Sequence, residues 1–146
     1  LQHRLGMAII MITHDLGVVA GMCDEVIVMY AGHLVERGIA RQIFYHPKHE
    51  YTKGLMRSIP RIEKDEKERL IPISGTPVDM LLLPKGCAFA PRCEQAMKIC
   101  LEEKPQEYWI NGYNHLASCW RNVKDGVLAP EVSGKRPMIQ LKEESV

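Results

Sequence analysis

The sequence predicts an α/β fold in which a partial strand-helix-strand unit is followed by a small, irregular segment rich in cysteine. Three observations lead there. Met7 to Thr13 is an almost unbroken apolar run, two hydrophobic stretches flank Ala31-Gly32-His33, and from Ile71 onward prolines and glycines punctuate the chain at short intervals. A continuous apolar run between turn signals reads as a buried parallel strand. Asp15 is placed to cap a helix running through Leu16, Val18, Val19 and Met22 toward Cys23. Glu25–Tyr30 and Leu34–Gly38 then read as a hairpin with glycine at the reversal. Short helices follow over Ile39–Tyr45 and Tyr51–Ile59, the first ending before Pro47 and the second at Pro60.

One strand-helix-strand unit cannot bury both faces of a parallel sheet, so the rest of that sheet is expected elsewhere. The opening Leu-Gln-His-Arg-Leu-Gly has neither an initiator Met nor the layout of a secretory signal, and it reads as a cut start. The organisation expected is residues 1–60 as the α/β part, 61–70 as a charged linker, 71–124 as a four-cysteine extension, and 125–146 as a terminal strand and frayed tail. The linker reading rests on four basic and four acidic side chains in the nine positions from Arg61 to Arg69. Within the extension, Cys93–Glu103 is the one clear helical candidate.

Charge and hydropathy exclude some functions. Nineteen basic against eighteen acidic side chains leave no nucleic-acid footprint. The longest wholly apolar runs, Met7–Ile12 and Met80–Leu83, fall far short of the ~20 residues that span a bilayer.

Four of the five cysteines, Cys87, Cys93, Cys100 and Cys119, fall within 33 consecutive positions, while Cys23 stands apart as a small buried hydrophobe. Clustered thiols in a chain with no secretory signal point to metal more than to disulfides. Five, six and eighteen residues separate successive members, which is not the paired Cys-x-x-Cys of a zinc ribbon. Four thiolates hold either a tetrahedral zinc or an iron-sulfur cubane, and spacing alone leaves both open. A regular helix joining Cys93 to Cys100 would hold them ~10 Å apart by rise, so a single zinc would require that helix to break. His115, four residues before Cys119, is a candidate substitute ligand. Lys85 and Arg92 bracket the first two cysteines with positive charge, and Trp109 and Trp120 are expected to pack around the metal loop.

The segments Ile9-Ile-Met-Ile-Thr-His-Asp-Leu16, Cys23-Asp-Glu-Val-Ile-Val-Met-Tyr-Ala-Gly32 and Leu34-Val-Glu-Arg-Gly38 resemble the end of a P-loop ABC-transporter ATPase domain, from its switch histidine onward. Ile43-Phe-Tyr-His-Pro-Lys-His-Glu-Tyr-Thr-Lys-Gly-Leu55 and Gly86-Cys-Ala-Phe-Ala-Pro-Arg-Cys93 narrow the resemblance to the ATPase subunits of oligopeptide and dipeptide importers. Glu50 stands where many members carry a second proline. The resemblance implies that His14 is the switch histidine, contacting the γ-phosphate of ATP across a closed dimer. Asp15 is then a helix cap and not a catalytic carboxylate.

The resemblance also implies ATP with Mg in the parent protein and a 4Fe-4S cluster on Cys87, Cys93, Cys100 and Cys119, with zinc as the alternative. Its expected partners are membrane-spanning permease subunits, a second ATPase subunit and, indirectly, an extracytoplasmic peptide-binding protein, at the cytoplasmic face of the membrane and without nucleic acid. The phosphate-binding loop Gly-x-x-x-x-Gly-Lys-Ser/Thr, the Leu-Ser-Gly-Gly-Gln signature and the acidic pair of the Walker B strand do not occur in these 146 residues. The expectation is therefore an ATPase parent and a chain that hydrolyses no ATP by itself. The rival reading is a free-standing zinc or iron-sulfur interaction module with no ATPase role.

Overall fold

The computed structural model describes residues 6–59, 71–110, 114–124 and 126–128. Asp15 caps α1 (Leu16–Met22), its Oδ1 accepting the N–H groups of Gly17 and Val18 at 2.9 and 3.2 Å. Strands β1 (Glu25–Tyr30) and β2 (His33–Ile39) pair antiparallel, and Ala31 and Gly32 turn the chain with φ of 49° and 76°. Two successive positive φ values match the twist of a tight hairpin, and the glycine relieves one of them. Along β1 the side chains alternate, so Val26, Val28 and Tyr30 are buried while Ile27 and Met29 face outward.

After β2 come α2 (Ala40–Tyr45) and α3 (Glu50–Arg57). Further on are a 3₁₀ turn at Ala90–Arg92, α4 (Lys98–Glu102), β3 (Tyr108–Ile110), β4 (His115–Ala117), a second 3₁₀ turn at Trp120–Asn122, and β5 (Val127–Leu128). The five strands form one antiparallel sheet in the order β1-β2-β4-β3-β5. Strands from both sides of the expected boundary are therefore neighbours, since Glu36, Arg37 and Gly38 of β2 face Ala117, Leu116 and His115 of β4. The charged run 61–70 lies outside the described residues, as does the whole tail after β5, 129–146.

Two expectations are corrected. The apolar run at 7–13 is not a buried parallel strand: no strand is assigned there, Ile10 and Ile12 are 92% and 97% exposed, and the sheet is antiparallel throughout. A strand exists only through its ladder, and among the described residues none pairs with this run. The helix expected over Cys93–Glu103 is confined to Lys98–Glu102, because Met97 is extended (φ −101°, ψ 163°) and the chain from Cys93 makes a turn closed by Ala96 N–H to Cys93 O at 3.1 Å. Among the described residues no helix is long and apolar enough to cross a membrane.

The core is Val19, Val26, Val28, Tyr30, Val35, Ile43 and Phe89, with Cys23 packed against its edge. Phe89 comes from the cysteine-rich segment and is 3% exposed. Its ring lies 5.3 Å from Tyr30 and 5.4 Å from Tyr51, at tilted and edge-on angles that aromatic quadrupoles favour.

One buried carboxylate closes the joint between β2 and β4. Glu36 is fully buried, and its Oε1 lies 2.6 Å from His115 Nε2 while accepting the Lys48 N–H at 2.7 Å. Its Oε2 accepts the His49 N–H at 2.9 Å. Ser118 adds two bonds to the same strand, from its N–H to Val35 O and from its hydroxyl to Leu34 O. Replacing Glu36 by Ala strands all three of its donors in the interior, so the expected loss is about 3–5 kcal/mol of unfolding free energy. Denaturant titration of Glu36→Ala checks this, and a loss below about 1 kcal/mol, the net worth of one ordinary hydrogen bond, would show the donors re-pairing.

Candidate functional site

Cys87, Cys93, Cys100 and Cys119 line one pocket, each arriving on a different short element. Cys87 opens the loop that carries Phe89, Cys93 follows the first 3₁₀ turn, Cys100 sits in α4, and Cys119 precedes the second 3₁₀ turn. The pocket holds about 320 Å³ of space open to solvent, and His49, Phe89, Pro105, Trp120 and Arg121 also contribute to its wall. All five cysteines are free thiols.

Backbone contacts bring the thiols together. The Cys87 N–H donates to Cys100 O at 2.8 Å, and the preceding Gly86 lets the two segments meet. A Cβ on Gly86 would lie 2.2 Å from Cys100 O and 2.7 Å from the Leu101 carbonyl carbon, both backbone atoms that cannot swing aside.

The electrostatics are those of thiols removed from water yet supplied with donors. Burial pushes the Cys119 thiol up to about 11. The Arg121 backbone N–H pulls it back, while Cys87, Glu50 and Cys100 add to the rise. Burial also raises Cys87, opposed by backbone N–H bonds from Phe89 and Ala90 and assisted by Cys100. For Cys93, burial leads again, the Gln95 backbone N–H opposes it, and Glu50, Cys87 and Cys100 assist. Three sulfurs thus receive a backbone N–H from the residue two positions ahead, an arrangement that stabilises negative sulfur.

Thiol sulfur is a donor that zinc and iron-sulfur groups accept, and four thiols line this pocket. The spacing falls short of a finished site: among the described residues no three Cys, His, Asp or Glu side chains form a group that could hold a metal ion. Neither the zinc nor the 4Fe-4S expectation is thus supported by the arrangement of the side chains. Ligation would require the sulfurs to draw closer.

Other expected contributors lie elsewhere. His115 is no ligand of this pocket: it is fully buried in β4, engaged through Nε2 by Glu36, and absent from the pocket wall. Arg92 turns its guanidinium to the carbonyls of Ser74 and Ile73, each at 3.0 Å, and Lys85 is exposed. Trp120 lines the pocket as expected and donates its indole N–H to Glu103 O at 3.1 Å, while Trp109 is buried in β3. His14 is exposed in the turn before α1, where the Asp15 N–H bonds Thr13 Oγ1 at 3.0 Å, and it is not part of the cysteine pocket.

His49 is the wall residue whose role the sequence concealed. It is 2% exposed, caps α3 by accepting the Tyr51 N–H on Nδ1 at 3.1 Å, and is pushed down to about 4 by burial, against the opposing pull of Glu36 and Glu50. Nothing in the linear spacing of Pro47-Lys-His-Glu50 joins it to cysteines some forty positions on.

Residues 35–100 match the family described as "Oligopeptide/dipeptide transporter, C-terminal region". The chain is similar to the "Oligopeptide transport ATP-binding protein OppD" of Haemophilus influenzae, 52% identical over 126 residues, covering 85% of this chain and 38% of that protein. The protein of the same name from Salmonella typhimurium is 49% identical over 125 residues, covering 86% of this chain and 36% of the relative. The "Dipeptide transport ATP-binding protein DppD" of Bacillus subtilis is 46% identical over 120 residues, covering 82% and 35%. The chain therefore spans little more than a third of the length of these relatives.

Two outcomes follow from the pocket. Gly86→Ala is expected to cost about 1–3 kcal/mol by forcing the Cys87 and Cys100 segments apart, read as a lowered melting temperature. For His49 the folded-state value lies below the ordinary 6.5, so its contribution is complete above pH 6.5 and is lost as pH falls toward about 4. Across that window unfolding free energy is expected to drop by roughly 3 kcal/mol more in the wild type than in His49→Asn, as denaturant titration at the two pH values would read.

Proposed function

We propose that this chain is the C-terminal part of the ATP-hydrolysing subunit of a peptide importer, a reading supported by the match of residues 35–100 to the family described as "Oligopeptide/dipeptide transporter, C-terminal region". The observation that carries this reading is 52% identity over 126 residues to an oligopeptide transport ATP-binding protein. On this reading the parent binds ATP with Mg, pairs with a second ATPase subunit, and docks on permease subunits at the cytoplasmic face of the membrane. Peptide is delivered by an extracytoplasmic binding protein.

His14 is the switch histidine in this proposal. Its exposed place ahead of the Asp15 cap leaves the imidazole accessible to a γ-phosphate presented by other parts of the subunit. There it would donate to a phosphate oxygen and orient the attacking water, the positioning and charge stabilisation on which phosphoryl transfer depends. Lacking the phosphate-binding loop, these 146 residues do not turn over ATP unaided.

The second part of the proposal is that Cys87, Cys93, Cys100 and Cys119 hold a thiolate-bound metal group, 4Fe-4S in first place and zinc in second. What supports it is the shared pocket and the backbone N–H groups aimed at three of its sulfurs. When bound, such a group would supply cross-linking free energy to the segment around it.

In an ATP-binding subunit that carries this region together with the phosphate-binding loop, His14→Ala is expected to lower ATP hydrolysis by about 100-fold or more while nucleotide affinity stays close to that of wild type. Steady-state hydrolysis and equilibrium nucleotide binding read the two effects separately. Undiminished turnover would remove His14 from the mechanism.

A further inference from the structure

We infer that Cys87 and Cys100 are an oxidisable pair, which a low-molecular-weight disulfide such as oxidised glutathione converts to an intramolecular disulfide that fastens α4 to the loop carrying Phe89. The inference concerns the pocket's own thiols and requires no metal group. These two cysteines are joined directly through the main chain, the Cys87 N–H donating to Cys100 O at 2.8 Å. Sheet pairs joined by such bonds have Cα atoms about 5.5 Å apart, inside the roughly 4.4–6.8 Å that disulfides bridge. Gly86 lets the approach happen, since a Cβ there would lie 2.2 Å from the same Cys100 oxygen. Both side chains line one pocket, and Cys100 is among the groups that raise the Cys87 thiol. The main-chain bonds of Cys93 go instead to Ala90 O and the Ala96 N–H, and Cys119 O accepts from Asn122.

Accessibility sets the order of events. Cys87 is half-buried and Cys100 buried, so Cys87 meets the oxidant first. Its thiolate attacks one sulfur of the small disulfide, forming a mixed disulfide and releasing one small thiolate. The Cys100 thiolate then attacks Cys87 Sγ, forming the internal bond and releasing the second. Two electrons pass from the cysteines to the small disulfide, and its two halves take up the two cysteine protons and leave as thiols. The consequence falls on α4. Cys100 is its buried residue, and the other four positions of the helix are exposed. A bond at Cys100 therefore pins a lightly held helix to a loop that Phe89 already anchors in the core.

The test uses the wild-type chain, reduced, treated with a chelator and equilibrated with oxidised glutathione. Cleavage at basic and acidic residues separates the four pocket cysteines, and mass spectrometry without reduction maps the links. The expected product joins the Cys87 and Cys100 peptides, and oxidation is expected to slow amide hydrogen exchange in α4 by about 10-fold or more. A predominant link through Cys93 or Cys119, thiols that stay reduced or stop at glutathione adducts, or exchange in α4 unchanged by oxidation would each overturn the inference. Cys100→Ser checks the order of attack: glutathione is expected to accumulate on Cys87, and an unmodified Cys87 in that variant would count equally against it.

Discussion

The buried carboxylate of Glu36 is the constraint around which the described part of the molecule is arranged. An ionised carboxylate without water is costly unless donors surround it. Glu36 is surrounded by donors from two separate stretches: the Lys48 and His49 N–H groups at the entry to α3, and the imidazole of His115 in β4. Neither can move away without leaving a buried carboxyl oxygen short of a partner. The carboxylate therefore dictates where α3 begins and which strand adds to the hairpin, and by fixing His49 it also sets one wall of the cysteine pocket.

A second tie runs through Phe89. It stands between Cys87 and Cys93 in sequence, yet its side chain belongs to the core made by β1, β2 and α2. The sheet and this ring together make the cysteine-rich segment an integral part of the packing around the hairpin. An anchored loop presents its sulfurs with less conformational freedom than a hanging one, so less entropy is lost when they are drawn together.

Local chemistry was legible in the sequence wherever it was sufficient. The Asp15 cap, the Ala31-Gly32 turn, the alternation of Val26, Val28 and Tyr30, and the two short helices before Pro47 and Pro60 all act over a few residues, and the structure has them within a residue or two. The convergence of four cysteines was also visible in their clustering. What failed depended on partners. Met7–Thr13 has the composition of a buried strand, but burial requires neighbours that composition does not supply. Cys93–Glu103 has helical spacing, but the turn from Cys93 to Ala96 and the extended Met97 take the chain out of register before α4. Nothing in Leu-Val-Glu-Arg-Gly marks Glu36 as buried, because its role comes from donors contributed up to 79 positions away.

The thiols show why the pocket's chemistry must be reciprocal. Their proton affinity is raised chiefly by burial, with mutual repulsion adding to it, while the amide donors oppose the rise. The same burial that keeps the protons on would strengthen a bond between thiolate and cation, because charge interacts more strongly where water is excluded. A metal binding at these thiols would have to displace protons held more firmly than in a free cysteine, so any such binding would be coupled to pH. The wall supplies neutral dipoles more than opposite charges, which oppose the rise without abolishing it.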